Sequence, residues 1–377
     1  VAVTHTGVTT AFDPRTTISQ ASQEQMMSEQ VPGIDFERLT PWFRERVAPV
    51  RELSAKVIGH GRSNITYRLE AGGDVWVLRR PPLSHVQPTA HDMKREFRVI
   101  SALEGTDVPV PHAIALCEDK AVNDAPFYIM SFVEGMVPVE PAAVAAKYDE
   151  ATRRRIGEEL VDTLVKFHAI DPASVGLGDF GKPQGFIGRQ VRRFTEQLGT
   201  LTHRELPDLQ ELGRRLQASI PEETEHTLVH GDYRLDNCVL SDDGHIAAVL
   251  DWEMATLGDP LTDVGLQVMY WPQRGEAAAP TGAGIASQSV ILLPGFPTRD
   301  EAMARYAEKS GRDLSSLDFY AALAFFKLAV ILEGIHARFL EGGTVGPGFD
   351  TMANQVLVLT RNGLAVCDNS SVATLRG

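Results

Sequence analysis

His230-Gly-Asp-Tyr-Arg-Leu-Asp-Asn237 lies between two apolar runs, Thr227-Leu-Val229 before it and Val239-Leu240 after it. A further run, Ile246-Ala-Ala-Val-Leu250, leads into Asp251-Trp-Glu253. Short aliphatic runs bounded by polar clusters read as strands. Asp232 and Asp251, 19 residues apart, therefore each stand at the end of a short strand. A hairpin between them brings both to one edge of a cleft. Asn237 follows Asp232 by five residues on the same loop.

Phosphoryl transfer needs such a set. One carboxylate must orient an attacking hydroxyl and take its proton, while a second carboxylate and a neutral oxygen hold Mg²⁺ against phosphates. Taken singly, each of the three residues reads equally well as a turn aspartate or an Asx-turn asparagine. The ordered H-x-D-x-x-x-x-N run followed by a strand-end Asp, in strand context, points to catalysis. His230, and His168 at the end of Leu164-Val-Lys-Phe-His168, read as braces for this loop. Asp259 and Asp263 read as acceptors for backbone donors that cap the following helix.

Working upstream, Leu53–Ile58, Asn64–Glu70 and Asp74–Arg79 read as three strands with Gly-containing turns between them. The first turn, Gly59-His-Gly-Arg-Ser-Asn64, lets backbone N–H groups come close to phosphates. It lacks both the GxGxxG and the Gly-Lys-Ser/Thr fingerprints, and by itself it is also an ordinary turn. The third strand ends in two cations, Arg79 and Arg80. Glu96, on a helix expected over His91–Leu103, is placed to pair with one of them. Two more strands fit Ala113–Cys117 and Phe127–Phe132, the latter running through Ser131 and Val133 into Glu134-Gly135. Direct turns favour antiparallel pairing. A single amphipathic helix over Asp35–Arg46 precedes this set.

Beyond Gly135 the pattern is mainly helical: Tyr148–Ala169, Gly188–Leu198, Leu206–Ser219, Leu261–Tyr270, Arg299–Ser310, Leu317–Leu340 and Asp350–Arg361. Pro272–Pro297 reads as a long surface loop. The expected division is a polar tail over 1–30, a small lobe over 31–131 and a larger lobe over 132–377. The class is α+β: a small antiparallel sheet with one helix, then a mainly helical lobe. The chain carries 36 basic and 50 acidic residues, a net charge of −14. That argues against nucleic acid and against an anionic membrane surface, which need basic patches. Three unpaired cysteines, no secretory apolar segment and no apolar run of membrane length suit a cytoplasmic protein. Ala321–Leu332, broken by Lys327, reads as a buried helix.

With those residues in place, the sequence resembles the aminoglycoside phosphotransferase and choline kinase group. Within that group it looks most like the kinase domains related to those fused to acyl-CoA dehydrogenases. The resemblance runs from about Phe36 to Leu340. It is strongest in HGDYRLDN, in Val249–Gly265 and in Phe296–Leu314. It implies a bilobal protein-kinase-like fold, ATP or GTP as donor, Mg²⁺, and a small-molecule hydroxyl as acceptor. By matching positions it implies Asp232 as catalytic base and Asn237 and Asp251 as Mg²⁺ ligands. Glu96 becomes the helix partner of the strand cation, and backbone groups of Ser131 and Val133 meet adenine. Gly59, Gly61, Arg62, Ser63 and Asn64 cover the phosphates.

The family's strand cation is usually Lys, whereas Arg79 stands here with Arg80 beside it. Arg keeps the charge but is larger and planar. That departure is why a nucleotide-binding, pseudokinase-like regulator stands as the alternative reading. Glu333 and His336 read either as acceptor-pocket residues or as a buried pair. Arg189, Arg192 and Arg193 read either as a solvated helix face or as an anion-binding wall. The apolar late helix, with Phe319, Phe325 and Phe326, and the apolar part of the 272–297 loop suit a hydroxyacyl-type acceptor better than an aminoglycoside.

Overall fold

A computed structural model describes residues 31–58, 64–83, 92–201, 203–273, 286–342 and 351–377. Helix α1 (Phe36–Arg46) starts at Asp35, whose carboxylate accepts from the Arg38 N–H and caps the first turn. Strands β1 (Ser54–Val57), β2 (Ile65–Ala71), β3 (Asp74–Arg80), β4 (Ala113–Cys117) and β5 (Phe127–Ser131) form one antiparallel sheet in the order β1-β2-β3-β5-β4. Helix α2 (Met93–Leu103) is capped by Asp92, which accepts from Lys94 and Arg95 N–H. A short helix, α3 (Lys120–Asn123), sits in the β4–β5 connection.

Side chains alternate across a strand, and this divides the sheet into two faces. Leu78, Ile129, Phe127, Tyr67 and Leu69 pack under α1 with Leu39 and Phe43. Val77, Tyr128 and Met130 face the other way, into the core that contains α2 and the larger lobe. Arg79 and Arg80 are therefore sent to opposite faces.

The sheet leads through Gly135 into the larger lobe. Met136 pairs with Leu240 by two backbone bonds of 2.8 and 2.9 Å. Gly135 has φ +148°, and a Cβ there would lie 2.4 Å from the Leu240 carbonyl oxygen, so a side chain at this position would push the linker off the lobe. The larger lobe holds α4 (Pro141–Lys147), α5 (Glu150–His168), α6 (Phe186–Thr200) and α7 (Pro207–Ala218). Then come β6 (Thr227–Val229), β7 (Cys238–Leu240), β8 (Ile246–Val249) and β9 (Thr256–Gly258). These form two hairpin-like pairs, β6 with β9 and β7 with β8, both antiparallel. Helices α8 (Leu261–Tyr270), α9 (Ala286–Ile291), α10 (Arg299–Ser310), α11 (Leu317–Leu340) and α12 (Met352–Asp368) complete the lobe.

The expected α+β, two-lobed architecture is the one observed. Several elements differ in detail. The 272–297 stretch contains α9, and Val290, Ile291 and Phe296 are buried, so its described part is core rather than surface loop. Helix α12 extends to Asp368, beyond the expected Arg361. By length and composition α11 could cross a membrane, contrary to the reading of the sequence. Its most apolar window is 78% buried inside the protein, where it packs on α8 and α12. Phe319 and Phe326 are likewise core residues, while Phe325 lines a cavity with Val268, Met303 and Asp318.

Candidate active site

The loop between β6 and β7 is built around a buried anion. Asp263, in the first turn of α8, accepts from the His230 N–H at 2.7 Å and the Gly231 N–H at 2.8 Å. His168 Nε2 donates to the same carboxylate at 3.3 Å, and Tyr306 donates to His168 Nδ1 at 2.8 Å. Burial opposes the charge of Asp263, yet His168 and the loop N–H groups hold its pKa below the usual carboxylate value. Asp263 thus serves the loop and not the helix, which starts at Pro260 without a side-chain cap. Asp259 does meet the expectation, accepting from Leu261 N–H at 2.9 Å. His230, as expected, braces: Nε2 donates to the Leu250 carbonyl at 2.9 Å, and Nδ1 accepts from Asp232 N–H at 3.3 Å. Gly231 has φ +83°, and a Cβ there would meet the Met254 carbonyl oxygen at 2.9 Å.

Three candidates converge on this loop. Asn237 Nδ2 donates to the Asp232 carbonyl at 2.8 Å and to Asp232 Oδ2 at 3.3 Å. Tyr270 donates to Asp232 Oδ1 at 3.1 Å, and Arg234 Nε donates to Oδ2 at 3.2 Å. Burial first and the Asp232 carboxylate second raise the Tyr270 pKa well above its ordinary value, so this hydroxyl stays a donor. Strands β7 and β8 pair Cys238 with Val249, and the Leu250 N–H donates to the Asn237 carbonyl at 2.8 Å. Asp251 therefore emerges beside Asn237. Its backbone is left-handed, φ +65°, a conformation that Asp and Asn adopt more readily than other non-glycine residues. The side chains of Asp232 and Asp251 are 30% and 28% exposed, so a ligand can reach both.

The sheet supplies the cation. Arg79 is buried, with Nε 3.4 Å from Glu96 Oε2 and Nη2 donating to Asp251 Oδ1 at 2.7 Å. Arg80 points to the other face and donates to the Gly33 and Asn123 carbonyls. That settles which of the two arginines meets Glu96. Desolvation works against the Arg79 charge, but Glu96 and Asp251 hold its pKa well above the ordinary value. Burial pushes the Glu96 carboxyl up to about 7 from 4.5, with Arg79 pulling the other way. A carboxyl raised in this way keeps its proton longer folded than unfolded, so its ionisation costs stability as pH rises from 4.5 toward 7. Arg79→Met is expected to cost about 3 kcal/mol, the scale for stranding one member of a buried pair. Without Arg79 the Glu96 pKa climbs further, so urea unfolding should show a larger deficit at about pH 8 than at about pH 5. A deficit equal at both values would contradict the pairing.

Gly59, Gly61, Arg62 and Ser63 lie outside the described residues. Asn64 closes that turn, and its Nδ2 donates to Glu253 Oε2 at 2.8 Å. It thus ties the start of β2 to the turn after Asp251. The Ser131 N–H donates to the His112 carbonyl at 2.9 Å, so that N–H is already engaged. Val133 follows β5 in the linker. Glu333 is fully buried, where Arg204 Nε donates at 2.6 Å and His203 Nε2 lies at 2.8 Å. The expected pairing of Glu333 with His336 is therefore not the one formed: Arg204 and His203 take its place. Arg189 donates to the Lys182 and Gln184 carbonyls and anchors its own loop. Sequence reasoning missed Tyr270, Arg234, Glu253 and Lys327.

The oxygen set suits Mg²⁺. Asn237 spends Nδ2 on Asp232, which leaves Oδ1 as its neutral oxygen ligand, and Asp251 would add a carboxylate. Among the described residues no group of three or more acidic, histidine or cysteine side chains is placed to hold a metal. Mg²⁺ typically binds through one or two protein carboxylates plus substrate phosphates.

A family model, the phosphotransferase enzyme family, matches residues 54–303. The chain belongs to that family. This phosphotransferase-family chain is 35% identical over 287 residues to acyl-CoA dehydrogenase family member 10 of Mus musculus, covering 75% of this chain and 26% of that protein. It spans less than half the length of the curated relatives it matches. Its fold superposes with a TM-score of 0.71 on a Ralstonia eutropha protein assigned by name to the aminoglycoside phosphotransferases. The two are 32% identical, over 88% of this chain and 97% of that one. A thermostable aminoglycoside phosphotransferase mutant, solved with AMP-PNP and hygromycin B, gives 0.55 at 16% identity over 86% and 98% of the chains. That second likeness speaks for the fold alone.

Proposed function

We propose that this phosphotransferase moves the γ-phosphoryl group of ATP or GTP to a hydroxyl of a small molecule, with Mg²⁺. The observation that carries the reading is the Arg79 guanidinium held between Glu96 and Asp251, beside the Asp232–Asn237 loop. A guanidinium has five N–H donors, and the contacts to Glu96 and Asp251 leave others for a phosphate oxygen. Mg²⁺ on Asp251 and Asn237 Oδ1 would neutralise the charge of the phosphates. The residues of the chain do the remainder. Asp232 accepts the acceptor hydroxyl's hydrogen bond and takes its proton as the oxygen bonds to phosphorus and the bond to the β,γ-bridging oxygen breaks. Tyr270 and Arg234 fix the rotamer of Asp232. By sequence, residues 59–64 are assigned to the phosphates, and the Ser131 and Val133 backbone to the base. Of the two contacts asked of a strand cation, the helix glutamate and the phosphates, Arg79 makes the first with Glu96, and the comparisons offer nothing that favours the pseudokinase-like alternative.

The acceptor is of hydroxyacyl type. Two observations support this. The relatives carry acyl-CoA dehydrogenase names, and Asp232 is flanked by cations. Arg234 touches it, and the Lys327 ammonium interacts with it electrostatically. Cations at the transfer point repel a polyamine. The apolar wall does not contribute: Phe319 and Phe326 are core, and the cavity that Phe325 lines holds none of the candidate site residues. The test is steady-state phosphorylation of hydroxyacyl compounds and of kanamycin-type aminoglycosides under one set of conditions. Hydroxyacyl compounds should reach at least ~10⁴ M⁻¹s⁻¹ in kcat/KM, the low end for a committed enzyme. Aminoglycosides at that value with inert hydroxyacyl compounds would reverse the assignment.

A further inference from the structure

Lys327 sits in the middle of α11, between Phe325-Phe326 and Leu328-Ala329-Val330. A lysine within an apolar, core-forming helix is disfavoured unless its ammonium has partners. Lys327 is partly buried, and Nζ donates to the Gly231 carbonyl at 2.9 Å, across 96 residues of sequence. The Gly231 N–H is held by Asp263 at 2.8 Å. The next N–H, that of Asp232, donates to His230 Nδ1 at 3.3 Å. The peptide linking Gly231 to Asp232 is therefore gripped at its oxygen by Lys327 and at its N–H by His230. The charged groups facing the ammonium are Asp232 and Asp263 on the favourable side and Arg193, from α6, on the unfavourable side. Desolvation is the larger influence and lowers the Lys327 pKa below its ordinary value.

We propose that Lys327 is a positioning residue of phosphoryl transfer, its ammonium fixing through the Gly231 carbonyl the peptide that aims the Asp232 carboxylate at the acceptor oxygen. This rests on the phosphotransfer reading above. Lys327 touches neither the nucleotide nor a proposed Mg²⁺ ligand; it acts through the backbone of residue 231. Because it must be charged to grip well, its deprotonation releases the peptide, and turnover falls on the alkaline side of the pH profile.

The test uses the full chain with Mg-ATP alone, following turnover with water as the acceptor and measuring nucleotide binding separately. Lys327→Met should lower kcat by about 10²-fold, the scale for an ångström-level misplacement of a catalytic group, with Mg-ATP affinity unchanged. Lys327→Arg keeps the cation, so it should recover most of kcat and move the alkaline limb to higher pH, because a guanidinium does not deprotonate there. The Arg variant carries the test alone if the Met variant does not fold. A Met variant with parental kcat, parallel losses in kcat and affinity, or an Arg variant with the parental alkaline limb would each overturn the proposal. Absence in the parent protein of both water turnover and phosphorylation of the hydroxyacyl and aminoglycoside compounds would sink the phosphotransfer reading itself, and this one with it.

Discussion

Asp251→Ala is expected to abolish turnover and to weaken Mg-nucleotide binding, while nucleotide binding in the presence of a chelator changes little. The carboxylate is the only charged member of the proposed metal pair, and the Mg²⁺ charge contributes several kcal/mol to phosphoryl transfer. At 1.36 kcal/mol per decade, that is a loss on the order of 10³-fold or more. Two side effects need separating from it. Asp251 also anchors Arg79 at 2.7 Å, and its backbone is left-handed, φ +65°, where Ala is strained. Asp251→Asn addresses both: Asn tolerates this backbone and keeps an oxygen toward Arg79 while removing the charge. The Asn variant should fold like the parent and still lose most of its turnover. Isothermal titration with Mg-ATP and a steady-state assay check it, and parental values for both in the two variants would remove Asp251 from the metal site.

How far the site could be read in advance depended on sequence distance. The β7–β8 hairpin was legible because Cys238-Val-Leu240 and Ile246-Ala-Ala-Val249 are near neighbours with one polar turn between them. Its register alone brings Asn237 and Asp251 together. The five sheet strands were legible from the same kind of signal, as was Glu96 as a partner for the β3 cation. The choice between Arg79 and Arg80 was contained in the alternation of β3, but only once Val77 and Leu78 were known to face different cores. The contacts that were missed join residues far apart in the chain. Asn64 meets Glu253 across 189 residues, and Tyr270 meets Asp232 across 38. No local pattern encodes them.

Helix α11 shows a different limit. It is apolar nearly all round, as buried helices are, so periodicity gave no face and Lys327 read merely as an interruption. The same uniformity made Phe319 and Phe326 look available to a ligand when packing had already claimed them. Asp263 was expected to cap α8 because Asp near a helix start usually does so. The tertiary fold instead presented it with two loop N–H groups and His168, a stronger set of donors than one exposed helix end.

Asp232→Asn is expected to lower kcat by roughly 10²–10⁴-fold with Mg-ATP affinity nearly intact. The amide is isosteric, and with its oxygen at the present Oδ2 position Asn237 and Arg234, which now donate there at 3.3 and 3.2 Å, still find an acceptor. Tyr270, at 3.1 Å from Oδ1, faces the other position, where an NH₂ group replaces an acceptor and its hydroxyl must accept instead of donate. The nucleotide-facing set of Arg79, Glu96 and Asp251 is bonded through other atoms and does not depend on Asp232. What disappears is a group able to take the acceptor proton at neutral pH, since a carboxamide has no such basicity. A loss confined to kcat is the signature of an interaction needed in the transition state and not for nucleotide binding. Equal losses in kcat and nucleotide affinity would instead assign Asp232 to the metal. A parental kcat would mean that the acceptor oxygen loses its proton to another group or to solvent.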